Sequence, residues 1–254
     1  MDALILAKRT VTKMVRNPEQ FIDVTLQPVL MTVIFVFIFG GAVAGGTEQY
    51  LLLTLPAIVV QTIMFTSMTI GVNLNTDLKN GVFDRFRSLP ITRSAPLIGA
   101  VLGDIVRHTI AVGVSLAFGA LIGFRFHTSP LEVLFAIVLM IVFAVSLCWI
   151  SVFVGMIVRS SGAVQGISFL VVFPLTFGSS AFVPADTLPT WMQGWVAINP
   201  VNHVIEAMRG LLVGPEYMAG DTTVTGQVLW VLASCVVLVG VFFPLATWAY
   251  RRKI

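Results

Sequence analysis

Residues 133–158 read VLFAIVLMIVFAVSLCWISVFVGMIV, an apolar run without one charged side chain. About 20 such residues cross the roughly 30 Å of hydrocarbon in a bilayer, so this run is long enough to span with tilt. In lipid the backbone N–H and C=O groups find no water, and a helix satisfies them internally. Runs of the same kind recur near 24–41, 51–72, 98–123, 163–183 and 224–249. The start of the third is blurred by Asp104, Arg107 and His108, and Pro174 predicts a kink in the fifth.

Composition agrees. The chain has 254 residues, 57% hydrophobic and 11% charged, with a mean hydropathy of +0.96. A soluble domain carries roughly 25% charged residues. The reading is therefore an all-α integral membrane protein, one domain over 1–254 with six transmembrane helices. Six spans place both termini on one side. Lys8, Arg9, Lys13, Arg16, Lys79, Arg85, Arg87, Arg93, Arg159, Arg251, Arg252 and Lys253 then share that side, against Arg125 and Arg209 opposite. By the positive-inside rule both termini are cytoplasmic, which predicts a multi-pass protein of the bacterial inner membrane. A pI near 9.1 could suggest nucleic acid, but the basic residues gather at helix ends and no nucleic-acid partner is expected.

Between these runs lie the segments that could do work. Residues 1–18 predict a basic amphipathic interface helix, with Arg9, Lys13 and Arg16 on one face and Leu4, Ala7, Val11, Met14 and Val15 on the other. Such a helix lies on anionic membrane lipids. In the loop 75–93, Leu78, Val82 and Phe86 form an i, i+4, i+8 stripe on a short helix. Phe83 lies beside it, Asp84, Arg85 and Arg87 project elsewhere, and Pro90 ends it. Bulky apolar knobs with flanking charges suit a groove on a soluble partner. The outer region 184–223 reads as two short helices, re-entrant or lying on the surface. Trp191 and Trp195 sit at i and i+4, where indole rings prefer the headgroup level. Asn199-Pro200 supplies an N-cap and a proline at the first helical position. Glu206 and Arg209 form an i, i+3 pair beyond it, and Gly214-Pro215 stops the helix. The region is a passive lid or, more sharply, an exit gate.

Chemistry is sparse. The phosphate-cradling Gly-x4-Gly-Lys-Ser/Thr pattern is missing. Asp104, Arg107 and His108 are the candidate intramembrane charges; at i, i+3 and i+4 they can neutralise one another. Cys148 and Cys235 fall inside apolar runs and read as packed apolar residues, so no metal site and no catalytic residue is expected. Gly99 with Gly103, and Gly119 with Gly123, give small-xxx-small spacing that allows close helix contact.

Two stretches carry a resemblance. Leu78 to Ile91, LKNGVFDRFRSLPI, and Asn199 to Leu212, NPVNHVIEAMRGLL, resemble in order and spacing the ABC-2 type exporter permeases. The chain is most similar to their daunorubicin/doxorubicin-resistance branch. The resemblance implies a permease subunit that exports a hydrophobic or amphipathic compound, drug, antibiotic or lipid. It implies pairing with a second permease, alike or different, and docking on a separate ABC ATPase that carries the ATP and Mg. It assigns the ATPase contacts to residues 1–16 and 77–89, and re-entrant outer helices to 184–214. The rival reading is a proton-coupled multidrug antiporter without an ATPase, with Asp104 as proton carrier.

Overall fold

Gly71 and Gly155 meet back to back: a Cβ on either would drive into backbone of the other helix, at Ser151 or at Gly71 itself. Lipid tails are as apolar as leucine, so helices in a membrane are held by such close packing more than by the hydrophobic effect. This crossing organises the bundle. The computed structural model describes all residues except Met1, Asn17, 41–45, 84–91, Arg93, 184–186, Asp221 and Ile254, and leaves out the side chains of 2–3, 18–21 and 23.

The chain forms nine α-helices among the described residues, and no strand. They are α1 (Asp2–Arg16), α2 (Pro18–Val33, continued by a π-helical turn Ile34–Phe39), α3 (Thr47–Lys79), α4 (Ala95–Leu121) and α5 (Pro130–Ile157). Then follow α6 (Ser161–Phe177), α7 (Thr190–Ile198), α8 (Pro200–Leu212), a 3-10 turn Pro215–Tyr217 and α9 (Val224–Lys253). Helices α3, α4, α5 and α9 are long and apolar enough to cross a membrane; Val24–Phe39 and Ser161–Phe177 are shorter apolar helices. The apolar run 163–183 is helical only to Phe177: Pro174 has no N–H to give, and Gly178 closes the helix on the Pro174 carbonyl.

Helix α3 is the axis. It packs on α4, α5, α6 and α8 and buries Leu55, Ile58 and Ile63 completely, as a helix apolar on every side must. Gly119 of α4 lets the Leu55 side chain in, and Gly103 of α4 lets α1 lie against it at Ala7 and Thr10. These are two of the four glycines in the small-xxx-small pairs; Gly123 instead takes a positive φ of 118° in the turn after α4. Exposed apolar side chains remain along the outer faces of α2, α5, α6 and α9, among them Leu30, Leu134, Leu170 and Val236. So much exposed apolar surface calls for lipid or a membrane partner.

The apolar helices alternate in direction. Asn75, near the end of α3, donates to the Gly155 and Val158 carbonyls at 2.9 and 2.8 Å, capping the C-terminus of α5. Lys253 at the end of α9 reaches the same Val158 carbonyl, and Phe83 stacks edge-on against Tyr250 with centroids 5.4 Å apart. At the opposite end, Thr128 before α5 donates to the Leu211 carbonyl of α8, and Tyr50 at the start of α3 donates to the Phe182 carbonyl. The first helix and the C-terminal end of the last therefore lie at one end of the bundle, and α8 closes the other.

Candidate functional site: a charged end, a sealed end and an aromatic groove

At the α1 end, Asp77 in the last turn of α3 takes Lys13 at 3.1 Å and Arg9 at 3.4 Å. Both cations stay nearly half exposed, and Arg16 lies exposed beyond them. Met14 is buried, whereas Leu4 and Val15 of the expected apolar face remain exposed. The packed face of α1 is thus narrower than its apolar face. The loop that follows α3 differs from expectation. Leu78 belongs to α3 itself, and Asn80-Gly81 turns the chain with Gly81 at φ 67° before Val82 and Phe83. The helix is therefore interrupted between Leu78 and Val82, at Gly81. Phe83 is 2% exposed and packed inside the bundle, so it anchors the loop instead of presenting itself outward. Asp84, Arg85, Phe86 and Arg87 lie outside the described residues.

A little deeper, Asp104, Arg107 and His108 are all buried. Arg107 stands 3.6 Å from one carboxylate oxygen of Asp104, and His108 Nε2 3.5 Å from the other. Cys148 of α5 joins them, its Sγ 3.4 Å from His108 Nε2 and 3.8 Å from Asp104. Ser67 of α3 completes the ring at 3.5 Å from the same nitrogen. Cys148 is therefore no plain apolar filler. No sequence signal joined it to a charge cluster some forty positions earlier; only the α4–α5 packing does.

At the other end the outer helices differ from each other. Helix α7 lies on the surface, with Trp191 77% exposed and Trp195 turned in toward Gly178, where any Cβ would collide with the indole nitrogen. Helix α8 does not lie on the surface. It is buried almost from end to end, and its ion pair is sealed within the bundle, Glu206 and Arg209 each 2% exposed. Their ion pair measures 2.6 Å. Arg209 also donates to the Ser180 hydroxyl at 3.0 Å, the Ser180 carbonyl at 2.6 Å and the Leu53 carbonyl at 3.1 Å. Glu206 accepts from the Ser180 hydroxyl and the Ala219 N–H. Asn199 caps α8 by accepting from Val201 N–H and uses its amide to donate to the Leu175 and Gly178 carbonyls, the loose end of α6. The start of α3, the end of α6 with Ser180, α8 and the turn at Ala219 are knotted together here.

A groove of about 540 Å3 opens between α2, α3 and α6. Gln27, Gln61 and Gln165 give it amides, and Phe65, Phe169, Phe173 and Phe177 give it rings. The rings run on: Phe169–Phe173 at 5.3 Å, Phe173–Phe177 at 4.4 Å, Phe177–Phe182 at 5.4 Å and Phe182–Phe35 at 3.9 Å. This ladder leads from the groove toward the α8 end. Its i, i+4 phenylalanines are visible in sequence, but Phe35 and Phe182 join it only through the fold. Gln61 is buried with its amide oxygen lacking a hydrogen bond among the described residues.

Comparison with known proteins fits this arrangement. The family profile described as ABC-2 type transporter matches residues 2–213. The daunorubicin resistance ABC transporter permease protein DrrB1 of Streptomyces coeruleorubidus is 41% identical over 93% of this chain and 81% of its own length. The probable doxorubicin resistance ABC transporter permease protein DrrC of Mycobacterium tuberculosis (strain ATCC 25618 / H37Rv) is 26% identical over 99% of this chain and 88% of its own. The putative transport permease ycf38 of Cyanophora paradoxa is 25% identical over 83% and 73%. A multi-pass helical bundle matched along most of its length by permeases settles the affiliation: the chain belongs to the ABC-2 type transporter family.

Proposed function

We propose that this exporter permease moves an amphipathic, drug-like or lipid-like compound outward across the cytoplasmic membrane, with α2, α3, α4, α5, α6 and α9 as its six spans. The α1 end faces the cytosol and the α8 end faces out. It works beside a second permease chain, and a separate ATPase that holds ATP and Mg supplies the force.

The observation that carries this reading is the bridge at Asp77. Two cations of α1 grip the end of α3 where the chain turns into the 78–91 loop. A push on that loop is thus shared by α1 and by the axial helix, whose other end holds Arg209 through the Leu53 carbonyl. Nucleotide-driven closure of the partner can in this way reach the outer knot through one rigid element. The groove supports the cargo class. Stacked rings grip a flat apolar body, while Gln61 and its neighbours meet scattered polar groups. Daunorubicin and doxorubicin, named for the relatives, are the first compounds to test.

In vesicles holding the permease with its ATPase, Arg85→Glu is expected to abolish cargo-stimulated ATP hydrolysis while membrane insertion stays intact. Unchanged stimulation and transport would remove the coupling assignment. Phe173→Ala is expected to weaken doxorubicin stimulation without changing basal hydrolysis. Transport by the permease alone, driven by a pH gradient and lost in Asp104→Asn, would favour the antiporter instead.

A further inference from the structure

We propose that Asp104, His108 and Cys148 form a binding site for a d-block divalent cation, zinc being the ion that fits, which staples α4 to α5 beside α3. The first ground is distance. Asp104 Oδ2, His108 Nε2 and Cys148 Sγ stand 3.4, 3.5 and 3.8 Å apart. The 3.5 Å between His108 and Asp104 exceeds the 2.7–3.2 Å usual for a nitrogen–oxygen hydrogen bond, while the two sulfur distances are ordinary for a thiol. The point equidistant from the three atoms lies about 2.1 Å from each, close to zinc–nitrogen and zinc–oxygen bond lengths and slightly short of zinc–sulfur. An ion a little out of the plane meets all three.

The second ground is chemistry. A thiolate, an imidazole and a carboxylate together select zinc or its neighbours over magnesium or calcium, which take oxygen ligands. A carboxylate this deep in an apolar bundle must be paired or ligated. Asp104 can do both, one oxygen toward the ion and the other toward Arg107 at 3.6 Å. With Nε2 as ligand the ring proton sits on Nδ1. Ser67 Oγ lies beside the cluster, 3.5 Å from Nε2. On binding, the Cys148 thiol loses its proton to solvent and its sulfur lone pair forms the metal bond; no oxidant is needed. A cavity of about 50 Å3 runs from Arg9, Lys13 and Asp77 as far as Arg107 and Asp104, one of the three ligands; His108 and Cys148 do not line it.

The test uses the purified full chain in mild detergent. The chain has two cysteines, so in Cys235→Ala any thiolate ligand must be Cys148. Stripped of metal and titrated with cobalt, wild type and Cys235→Ala are expected to show a thiolate-to-cobalt charge-transfer band that saturates near one ion per chain and is displaced by zinc. Cys148→Ala is expected to lose the band, and His108→Gln to weaken binding by roughly ten-fold or more. Absence of the band in Cys235→Ala overturns the proposal even if Cys148→Ala fails to fold. So does a band that survives Cys148→Ala.

Discussion

Among the described residues the bundle holds two buried acid–arginine pairs of identical helical spacing, and they are built to opposite standards. Glu206 and Arg209 are saturated: contacts of 2.6–3.1 Å reach α3, the chain after α6, and the turn before α9. Asp104 and Arg107 sit 3.6 Å apart, with a histidine and a cysteine at similar range. A saturated knot has nothing left to bind and resists motion. A loose cluster keeps coordination capacity in hand. The lesson is that i, i+3 spacing announces a pair but says nothing of its tightness, which depends on what other helices bring to it.

The largest expected effect comes from halving the tight pair. Glu206→Leu leaves the Arg209 guanidinium buried without its counter-ion, and a loss of about 3–5 kcal/mol is expected in thermal or denaturant unfolding in detergent. The double variant Glu206→Leu with Arg209→Met should recover most of that loss; a double variant as unstable as the single would show that the backbone contacts of Arg209, not its charge pairing, dominate.

Next comes the test that separates the two clusters. Asp104→Asn should cost about 1–3 kcal/mol, and part of that cost should disappear when a chelator is present in both samples. Glu206→Leu should cost the same with or without chelator. Equal insensitivity at both sites would erase the contrast.

Ser180→Ala removes a hydroxyl that donates to Glu206 and accepts from Arg209. About 1–2 kcal/mol of destabilisation is expected, since both partners stay buried. The smallest effect on stability belongs to the exposed bridge. Asp77→Asn should cost about 0–1 kcal/mol and become silent at high salt. Its signature should appear in cargo-stimulated ATP hydrolysis instead; a large loss of stability there would move Asp77 into the structural class.

Much of the architecture was readable because membrane solvation writes itself into composition. An uncharged run such as 133–158 can be little else than a helix in lipid. The Asn199-Pro200 cap was equally legible, being a local event: the asparagine oxygen needs only the N–H of Val201 two residues on. The Trp191 exposure also follows from its position on a short surface helix. Less local matters were not. Gly81 separates Leu78 from Val82 because a positive φ there turns the backbone, and Phe83 turns inward because Tyr250 is there to receive it. Gly103 and Gly119 carry real contacts while Gly123 serves a turn, a distinction that spacing alone does not make.

What the sequence by itself determined, then, was solvent and period: which segments lipid must solvate, where a local cap such as Asn199 starts a helix, and which helix faces carry charge. Those follow from interactions within a few residues or with the surrounding medium. The tertiary structure alone decided that Cys148 meets Asp104 and His108, that Arg209 is sealed against the Leu53 and Ser180 carbonyls, and that phenylalanines from three segments form one ladder. Each depends on how helices far apart in the chain are rotated against one another. Small residues at the crossings set that rotation through van der Waals contact, and an apolar pattern on every side of a helix cannot encode it.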